Sequence, residues 1–324
     1  MPPQKVLIVQ LGRLGDFILA TPMLRALKAD NPGHQIYILA SRHNQALARA
    51  HPLVDQVWVH SKKVGPIVEL LFSLKQKRFD YWIDPKDHFS RESSFLARWA
   101  IADCKIGFNR AGEKAVFDVS VPPAKENYHD QVAIRNLRAL QAFGVNDSDP
   151  RPCLFTESQF EKKLQEFLLR HQIRQYCCVH LSASKDIRYW PQANWISFLN
   201  QIGETARHYL ITCDPRDSAL ALEIAANVSP AHYYPAGSII ELFSAIKHAE
   251  LVISPDTSVV HIAAAFDRPL LGLYSNEEWN LKKFYPLSTH CRVVMGSQPG
   301  TLVCDIPLDL MLMKYRELSF EIFH

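Results

Sequence analysis

The sequence predicts an α/β protein of two Rossmann-like domains, each a doubly wound parallel sheet, facing each other across a cleft. Short apolar runs rich in β-branched residues alternate with longer segments whose apolar residues recur every three or four positions. This alternation stops at a polar stretch with two prolines, 145–152, and then begins again. Strands that alternate with helices form parallel sheets, and 324 residues suffice for two domains of the usual ~150. We therefore place the domains at 1–150 and 151–324.

The strands of the first half begin at residues 6–10, a continuous apolar run typical of a strand that is buried on both faces. Further strands are predicted at 36–39, 57–59, 81–83 and 105–108. Helical patterns run from Asp16 to a stop signal at Asn31-Pro32-Gly33, and then over 64–77, 90–101 and 129–143.

The second half repeats this alternation. Its predicted strands are 176–181, 209–212, 251–254 and 270–274, and its helices are 157–171, 192–203, 257–266 and 308–320. The last helix is compatible with packing back on the first domain. With two α/β domains in tandem, we expect the ligand site in the cleft between them, at the carboxyl ends of the strands.

Composition excludes several classes of protein. With 48% hydrophobic and 21% charged residues, the chain is not intrinsically disordered. No apolar stretch approaches the ~18 residues of a membrane-spanning helix, and we expect neither such a helix nor a signal peptide. The seven cysteines form no CxxC pair, so we expect them to be reduced in a cytoplasmic protein.

Charge is unevenly distributed along the chain. Residues 1–162 contain 22 basic and 17 acidic residues, a net +5, whereas residues 163–324 contain 14 and 16, a net −2. This difference favours an anionic partner for the first half, although a solubilising surface explains it equally well. The total of +3 is too small for a protein that binds a nucleic-acid backbone, so no nucleic acid is expected as a partner.

Several familiar motifs are absent. The loop after the first strand lacks the third glycine of G-x-G-x-x-G, which argues against an NAD-dependent oxidoreductase, and no P-loop sequence occurs. Asp147-Ser148-Asp149 has the form D-x-D but lies in the linker, so we attribute it to solvation of that segment. No group of His and Cys has zinc spacing, and no metal is expected.

The first candidate site is Gly12-Arg13-Leu14-Gly15-Asp16, directly after the first strand. Gly12 and Gly15 allow a tight turn and a close approach of the backbone to a ligand. Asp16 has two interpretations. It caps the following helix, or its carboxylate accepts a proton from an attacking hydroxyl.

The second candidate site is the loop 180–191, H-L-S-A-S-K-D-I-R-Y-W-P, at the end of the first strand of the second domain. Its hydroxyls and cations suit a phosphate group, and they belong to Ser182, Ser184, Lys185 and Arg188. Ordinary surface charge is an equally good explanation for Lys185. We interpret Trp190-Pro191 as the structural start of the next helix.

The third candidate site is Ser254-Pro255-Asp256-Thr257-Ser258-Val259-Val260-His261, where a strand ends and a helix of small residues begins. Backbone N–H groups of Thr257 and Ser258 at a helix N-terminus suit a diphosphate. His261 lies one turn later, near the face of Thr257. The alternative is that Asp256 and Thr257 only cap the helix and that His261 is a core residue.

A fourth feature is basic. Lys62 and Lys63 follow the strand 57–59, and Lys75, Lys77 and Arg78 come later. They suit the acceptor side of a site for an anionic substrate, and a solvated helix face explains them equally well.

Together these residues resemble glycosyltransferase family 9, the ADP-heptose:lipopolysaccharide heptosyltransferases. The resemblance spans roughly residues 4–320 and rests on the opening K-V-L-I-V-Q-L-G-R-L-G-D-F-I-L-A-T-P, the 180–191 loop and S-P-D-T-S-V-V-H-I-A-A-A. F-D-Y-W-I-D at 79–84, followed by Arg91 and by Ile106-Gly107-Phe108, is similar to the middle of the family's sequences. It implies the GT-B fold, with the acceptor in the first domain and the nucleotide-sugar in the second.

The resemblance also implies roles for individual residues. Asp16 would be the general base, and Arg188 would reach the donor diphosphate, with Ser182, Ser184 and Lys185 beside it. Asp256, Thr257 and Ser258 would hold the donor sugar and phosphates, with His261 supporting them. The acceptor would meet a set of first-domain residues, which are Gly12, Arg13, Gly15, Lys62 and Lys63.

The implied reaction is an inverting transfer without metal or cofactor, from ADP-heptose to the inner core of lipopolysaccharide or lipooligosaccharide. The partners would be the nucleotide-sugar and an anionic, lipid-anchored saccharide of the lipid A–inner core type. Contact with the inner membrane would be peripheral, at its cytoplasmic face.

Three segments depart from the family pattern. Ser258 replaces the glycine of D-T-G-x-x-H, Cys213-Asp214-Pro215-Arg216-Asp217 replaces a Gly-rich turn, and 275–279 is atypical. Two alternatives therefore stay open: a glycosyltransferase of the same fold with another nucleotide-sugar, and a non-catalytic protein that binds a sugar nucleotide.

Overall fold

A computed structural model describes residues 2–61, 63–122, 130–147, 149–203 and 207–323. The chain forms two compact units. The first consists of Met1–Cys153 with Lys282–Phe284, and the second of Leu154–Leu281 with Tyr285–His324. Each unit contains one six-stranded sheet, and every strand pair is parallel.

The first unit has six strands, which are β1 (Lys5–Gln10), β2 (Gln35–Ala40), β3 (Gln56–Val59), β4 (Arg78–Ile83), β5 (Ile101–Gly107) and β6 (Val119–Ser120). Its helices are α1 (Leu14–Ile18), α2 (Thr21–Asp30), α3 (Gln45–Ala50), α4 (Val64–Gln76), α5 (Arg91–Trp99) and α6 (Val132–Ala139). The strand order is β3-β2-β1-β4-β5-β6, and Ile8 of β1 pairs with Ile38 and Ile83 on either side.

The second unit has the strands β7 (Tyr176–His180), β8 (His208–Thr212), β9 (Ala231–Tyr233), β10 (Leu251–Pro255), β11 (Leu270–Leu273) and β12 (Cys291–Val294). The helices in this part of the chain are α7 (Ser158–Arg170), α8 (Gln192–Ile202), α9 (Ser218–Asn227), α10 (Ile239–Lys247), α11 (Ser258–Ala265), α12 (Glu278–Phe284) and α13 (Leu308–Phe323). The strand order, β9-β8-β7-β10-β11-β12, repeats that of the first sheet.

In both sheets the order of winding reverses beside the first strand, between β1 and β4 and between β7 and β10. Open α/β sheets bind ligands at such switch points, outside the carboxyl ends of the strands. The loop with Asp16 follows β1, the loop with Arg188 follows β7, and Asp256 follows β10. The predicted doubly wound fold is confirmed, and Asp16, Arg188 and Asp256 lie at the switch points.

The structure differs from the expected elements at the first helix, which is divided into α1 and α2. In a continuous helix the N–H of residue 22 would bond to the carbonyl of Ile18, but Pro22 has no N–H. The hydroxyl of Thr21 donates to that carbonyl instead, at 2.7 Å. The helix therefore breaks where the backbone lacks a donor.

The last helix, α13, contributes to the core of the second unit. Residues of α13, including Met311, Tyr315 and Leu318, lie in the same core as Trp195 and Phe198 of α8. Trp190 also belongs to this core, and its indole N–H donates to the carbonyl of Ile306 at 2.9 Å. These contacts support the interpretation of Trp190-Pro191 as the structural start of α8.

Two further findings concern cysteines and membranes. All seven cysteines are free, and Cys177, Cys178 and Cys213 are buried. Among the residues that the structure describes, no helix has both the length and the apolar composition needed to cross a bilayer.

Two buried histidines should make the second unit sensitive to acid. Burial lowers the pKa of His180 and of His261 to about 4, whereas a histidine in an unfolded chain titrates near ~6.5. Between these values the unfolded chain binds more protons than the folded one. The free energy of unfolding should therefore fall by about 2 kcal/mol per histidine between about pH 7 and about pH 5.

Urea denaturation at the two pH values measures this loss. The His180→Gln variant should lose less stability on acidification than the wild type, and His43→Gln, at an exposed position, should match the wild type. Equal losses in all three proteins would contradict the assignment.

Candidate functional site

The switch point of the second sheet brings Arg188 and Asp256 into contact. Arg188 ends a 3-10 turn, Asp186–Arg188, in the loop after β7, and Asp256 directly follows β10. The Arg188 Nη1 lies 3.0 Å from the backbone oxygen of Asp256 and 3.1 Å from its Oδ2. The Asp256 side chain is only 7% exposed and that of Arg188 20%. Two residues that are distant in sequence thus form a partly buried ion pair at the expected edge of the sheet.

Asn280, which the sequence analysis did not single out, completes the surroundings of Asp256. Its Nδ2 donates to Asp256 Oδ2 at 2.8 Å, and Asn280 itself is buried. Burial raises the pKa of Asp256, while the Arg188 charge and the Asn280 hydrogen bond act in the opposite direction. Asn280 lies in α12, beside the atypical segment 275–279, and no motif marks it.

The N-terminus of α11 lies next to this pair. Thr257 precedes the helix, and its hydroxyl accepts a hydrogen bond from the Val259 N–H at 3.2 Å, so the capping interpretation of Thr257 is correct. Ser258 is the first residue of the helix and is half-buried, at the end where the helix dipole is positive. His261 is 3% exposed and uncharged near neutral pH, because burial lowers its pKa. It can support the helix but supplies no charge.

The loop after β7 is attached to the turn after β8. The Ser182 hydroxyl donates to Asp217 and accepts the Asp214 N–H at 2.7 Å, and the Tyr189 hydroxyl donates to Asp217 at 2.7 Å. Arg216 donates to the Ala183 carbonyl and to the Tyr189 hydroxyl, at 2.5 and 3.0 Å. In the structure the hydroxyl of Ser182 therefore holds the loop in place.

The other two predicted residues of this loop, Ser184 and Lys185, are exposed. The segment 213–217, which replaces the family's Gly-rich turn, contains a 3-10 turn at Pro215–Asp217. The carboxylate of Asp217, the last residue of that turn, accepts the hydrogen bond from Ser182. The hydrogen bonds of Tyr189, Arg216 and Asp217 between the two loops were not predicted, since no sequence motif connects these loops.

In the first unit, Asp16 is the third residue of α1. Its Oδ2 accepts the N–H of Arg13, the residue before the helix, at 2.7 Å. Asp16 thus stabilises the helix start, as one of its two interpretations held, although it does so from inside the first turn. The side chain is half-buried and that of Arg13 is exposed.

Gly12 is required for space and not for an unusual backbone conformation. A Cβ at this position would lie 2.7 Å from Asp16 Cγ and 2.8 Å from Asp16 Cβ. The glycines with left-handed φ in the described residues are Gly112, Gly144 and Gly300, so neither Gly12 nor Gly15 has that geometry. The hydroxyl of Ser41, which directly follows β2, donates to the Gly12 carbonyl at 2.6 Å. This hydrogen bond anchors the loop that contains Gly12.

The predicted basic residues of the acceptor side are only partly described. Lys62 lies outside the described residues. Lys63 is exposed and directly precedes α4, and its N–H donates to the Ser61 hydroxyl at 3.3 Å. Because α4 follows β3, Lys63 lies toward the carboxyl edge of the sheet, where the Asp16 loop also lies.

Two buried acids follow β4, beside the Asp16 loop at the switch point. Burial raises the pKa of Asp84, although Lys86 and the Ser93 hydroxyl act against this. Burial would also raise the pKa of Asp87, but the His88 hydrogen bond and the Arg135 charge, 3.3 Å away, hold it well below its usual range. Asp87 and Arg135 were not identified from the sequence.

No three His, Cys, Asp or Glu side chains gather as metal ligands within the described ranges. The geometry therefore offers a carboxylate on a helix start in the first unit. In the second unit it offers a half-buried arginine paired with a buried aspartate beside a helix N-terminus.

Comparison with known proteins identifies the family to which this chain is similar. Residues 67–302 match the family model for glycosyltransferase family 9 (heptosyltransferase). Lipopolysaccharide heptosyltransferase 1 of Salmonella typhimurium is 32% identical over 286 residues, which is 83% of this chain and 88% of that protein. Lipopolysaccharide heptosyltransferase 3 of Escherichia coli is 23% identical over 274 residues, 80% of each chain.

Two solved structures have the same fold. ADP-heptose lps heptosyltransferase II of E. coli superposes with a TM-score of 0.79 at 18% identity, covering 99% of this chain and 100% of that one. The E. coli heptosyltransferase WaaC with ADP gives 0.75 at 17% identity, covering 97% and 99%. The fold is the GT-B fold of these enzymes, and the chain is a glycosyltransferase that belongs to glycosyltransferase family 9.

Proposed function

We propose that the protein transfers a heptose from ADP-heptose to the inner core of lipopolysaccharide or lipooligosaccharide, by an inverting reaction that needs no metal. The observation that carries this proposal is the partly buried Arg188–Asp256 pair beside the N-terminus of α11, a site suited to a nucleoside diphosphate. The names of the relatives, which are lipopolysaccharide heptosyltransferases, support the choice of sugar and acceptor.

In this mechanism the second unit holds the donor. The contacts with Asp256 engage Nη1 of Arg188, and a guanidinium has further N–H donors on Nη2 and Nε for phosphate oxygens. When the bond between the anomeric carbon and the diphosphate oxygen breaks, negative charge collects on the leaving diphosphate. Arg188, Lys185 and the start of α11 would stabilise that charge, and removal of one such donor typically costs ~3–4 kcal/mol.

The first unit supplies the acceptor side. An acceptor hydroxyl attacks the anomeric carbon from the face opposite the diphosphate, and its proton passes to the Asp16 carboxylate. One oxygen of that carboxylate accepts the Arg13 N–H, so the second can take the proton. Gly12, Arg13, Gly15, Lys62 and Lys63 would surround an anionic, lipid-anchored saccharide, at the cytoplasmic face of the inner membrane.

Another nucleotide-sugar is the second candidate for the donor. Ser258 stands at the first position of α11, where its side chain narrows the approach to the helix N-terminus. In the turn 213–217, the carboxylate of Asp217 already accepts hydrogen bonds from the hydroxyls of Ser182 and Tyr189. Both features favour a donor that differs from ADP-heptose in the sugar or in the nucleotide.

Replacing the proposed base should abolish turnover without abolishing donor binding. Asp16→Asn should lower the transfer rate by ~10²–10⁴-fold, because the attacking hydroxyl loses its proton acceptor. Gly12→Ala should have a similar effect, since the new methyl group would displace the Asp16 side chain. Transfer of heptose from ADP-heptose measures the rate, and ADP binding measures the integrity of the second unit.

The matched control is Asp103→Asn, which removes an exposed carboxylate of the same unit that pairs with Arg78. It should transfer sugar like the wild type. An Asp16→Asn enzyme that keeps more than about a tenth of the wild-type rate would refute the role of Asp16 as base, since a base contributes ~10²-fold or more.

Arg188 should account for much of the affinity for the nucleotide. Among ADP, UDP, GDP, CMP and NADH, we expect ADP to raise the melting temperature, because a ligand at ~100 times its Kd adds about 2.7 kcal/mol. Arg188→Ala should weaken ADP binding by about 10- to 100-fold, through loss of charged hydrogen bonds. Arg174→Ala, at an exposed position of the second unit, should leave it unchanged.

The panel distinguishes the alternatives. Stabilisation by UDP or GDP would support the same binding site with a different nucleotide-sugar as donor. Stabilisation by NADH alone would contradict the assignment as a transferase. Binding of ADP without any transfer would indicate a non-catalytic protein. Undiminished ADP affinity in Arg188→Ala would remove Arg188 from the site.

Asn280 should control the ionisation of Asp256. In Asn280→Asp a second buried carboxylate faces Asp256 in place of an N–H donor, so the pKa of Asp256 should rise further. Protonation of Asp256 breaks its ion pair with Arg188, so the loss of ADP affinity on acidification should occur at a pH higher than in the wild type by about one unit or more. The exposed substitution Asn200→Asp is the control, and an unshifted pH profile for Asn280→Asp would show that Asn280 has only a packing role.

A further inference from the structure

Helix α4 of the first unit carries more apolar residues than it buries in the core. Leu70 and Leu74 are buried against the sheet. Val64, Val68 and Phe72 are 79%, 58% and 63% exposed. Residues four apart lie on one side of a helix, so these three form a continuous apolar line that faces solvent.

Helix α5 extends this surface. Phe95 and Trp99 of α5 are 44% and 36% exposed, with their ring centroids 6.2 Å apart. Lys75 of α4 joins the two helices, because its Nζ lies 4.3 Å from the centroid of the Trp99 ring. We call this surface the α4–α5 face, and its members are Val64, Val68, Phe72, Lys75, Phe95 and Trp99.

The sequence of α4 and α5 and of the residues that flank α4 is basic, although one of these cations, Arg78, pairs with Asp103. Residues 63–78 contain four basic residues, Lys63, Lys75, Lys77 and Arg78, against the single acid Glu69. Helix α5 adds two arginines against one glutamate. Exposed Val, Phe and Trp side chains with lysines and arginines around them are the composition of a surface that lies in the interface of an anionic bilayer.

The position of this face agrees with the proposed acceptor site. Helix α4 runs from the end of β3 to the start of β4, so Phe72 and Lys75 lie toward the amino edge of the first sheet and Val64 lies at its carboxyl edge. The loop Gly12–Asp16 follows β1 at that same edge. An acceptor anchored in a bilayer beneath the α4–α5 face would present its saccharide near the edge where Asp16 lies.

We propose that the α4–α5 face binds the surface of a bilayer that contains anionic lipids, with its aromatic side chains at the level of the headgroups. This inference extends the proposed function, since a lipid-anchored acceptor gives the contact its purpose. The binding itself requires neither donor nor acceptor. A second copy of the chain is the less favoured occupant, because two such faces would bring their basic residues together.

Sedimentation with vesicles of phosphatidylcholine, with and without phosphatidylglycerol, tests the proposal. The wild type should bind the vesicles that contain phosphatidylglycerol, and less so as salt rises from about 0.1 M to about 0.5 M, because screening weakens the charge attraction. The double variant Val68→Ser, Phe72→Ser should bind at least about tenfold more weakly, since apolar burial at the interface is lost. Lys75→Glu should weaken binding to the anionic vesicles alone.

The matched control is Leu169→Ser, which removes an equally exposed apolar side chain from α7 of the second unit, 79% exposed. It should bind like the wild type. Absence of wild-type binding, or equal losses in Leu169→Ser and the double variant, would overturn the proposal. So would a concentration-dependent dimer that the double variant abolishes.

Transfer to a soluble, delipidated acceptor separates the two proposals. If transfer persists while vesicle binding is absent, the surface assignment fails alone. If vesicle binding follows the pattern above while no sugar is transferred, the proposed reaction fails and the membrane surface stands.

Discussion

The ion pair between the half-buried Arg188 and the buried Asp256 is the contact on which the candidate donor site depends. Burial of two charges costs several kcal/mol, and the cost is offset only where the geometry is good and additional hydrogen bonds are made. Here the guanidinium meets both the carboxylate and the backbone oxygen of Asp256, and Asn280 donates to the same carboxylate. Because Asp256 directly precedes Thr257, this arrangement also fixes the start of α11.

The two units use the same strand order for different chemistry. In the first, Asp16 packs against Gly12 at the start of a short helix, and no larger residue fits at position 12 because its side chain would collide with that of Asp16. In the second, the loop after β7 carries cations and the loop after β10 carries a carboxylate and a helix N-terminus. The shared topology supplies two carboxyl edges, and the residues at each edge supply the difference.

Much of the fold could be predicted from the sequence, because strands buried on both faces are continuous apolar runs and their loops come at fixed places. Arg188 and Asp256 were found this way, as residues that follow β7 and β10. The short strands β6, β9 and β12 were missed, since two to four residues carry little periodicity. Asn280 and Asp217 were missed because they meet the site from 24 and 35 positions away, through contacts that no local pattern encodes.

The exposed apolar residues of α4 illustrate the same limit. The apolar positions of α4 are visible in the sequence, yet Leu70 and Phe72 look alike there, and only the packing on the sheet shows which of them faces solvent. A helix whose apolar residues exceed its core contact cannot be recognised from the period alone, because the period does not state how much of the helix the sheet covers.

The hydrogen bonds that tie the loop after β7 to the turn after β8 affect how tightly a ligand can bind. Ser182 and Tyr189 share the carboxylate of Asp217, and Arg216 closes the group from the other side. The backbone on either side of Arg188 therefore loses its conformational entropy when the chain folds, and not when a ligand arrives. Affinity at this loop is in that sense a property of the folded unit, established before any nucleotide is present.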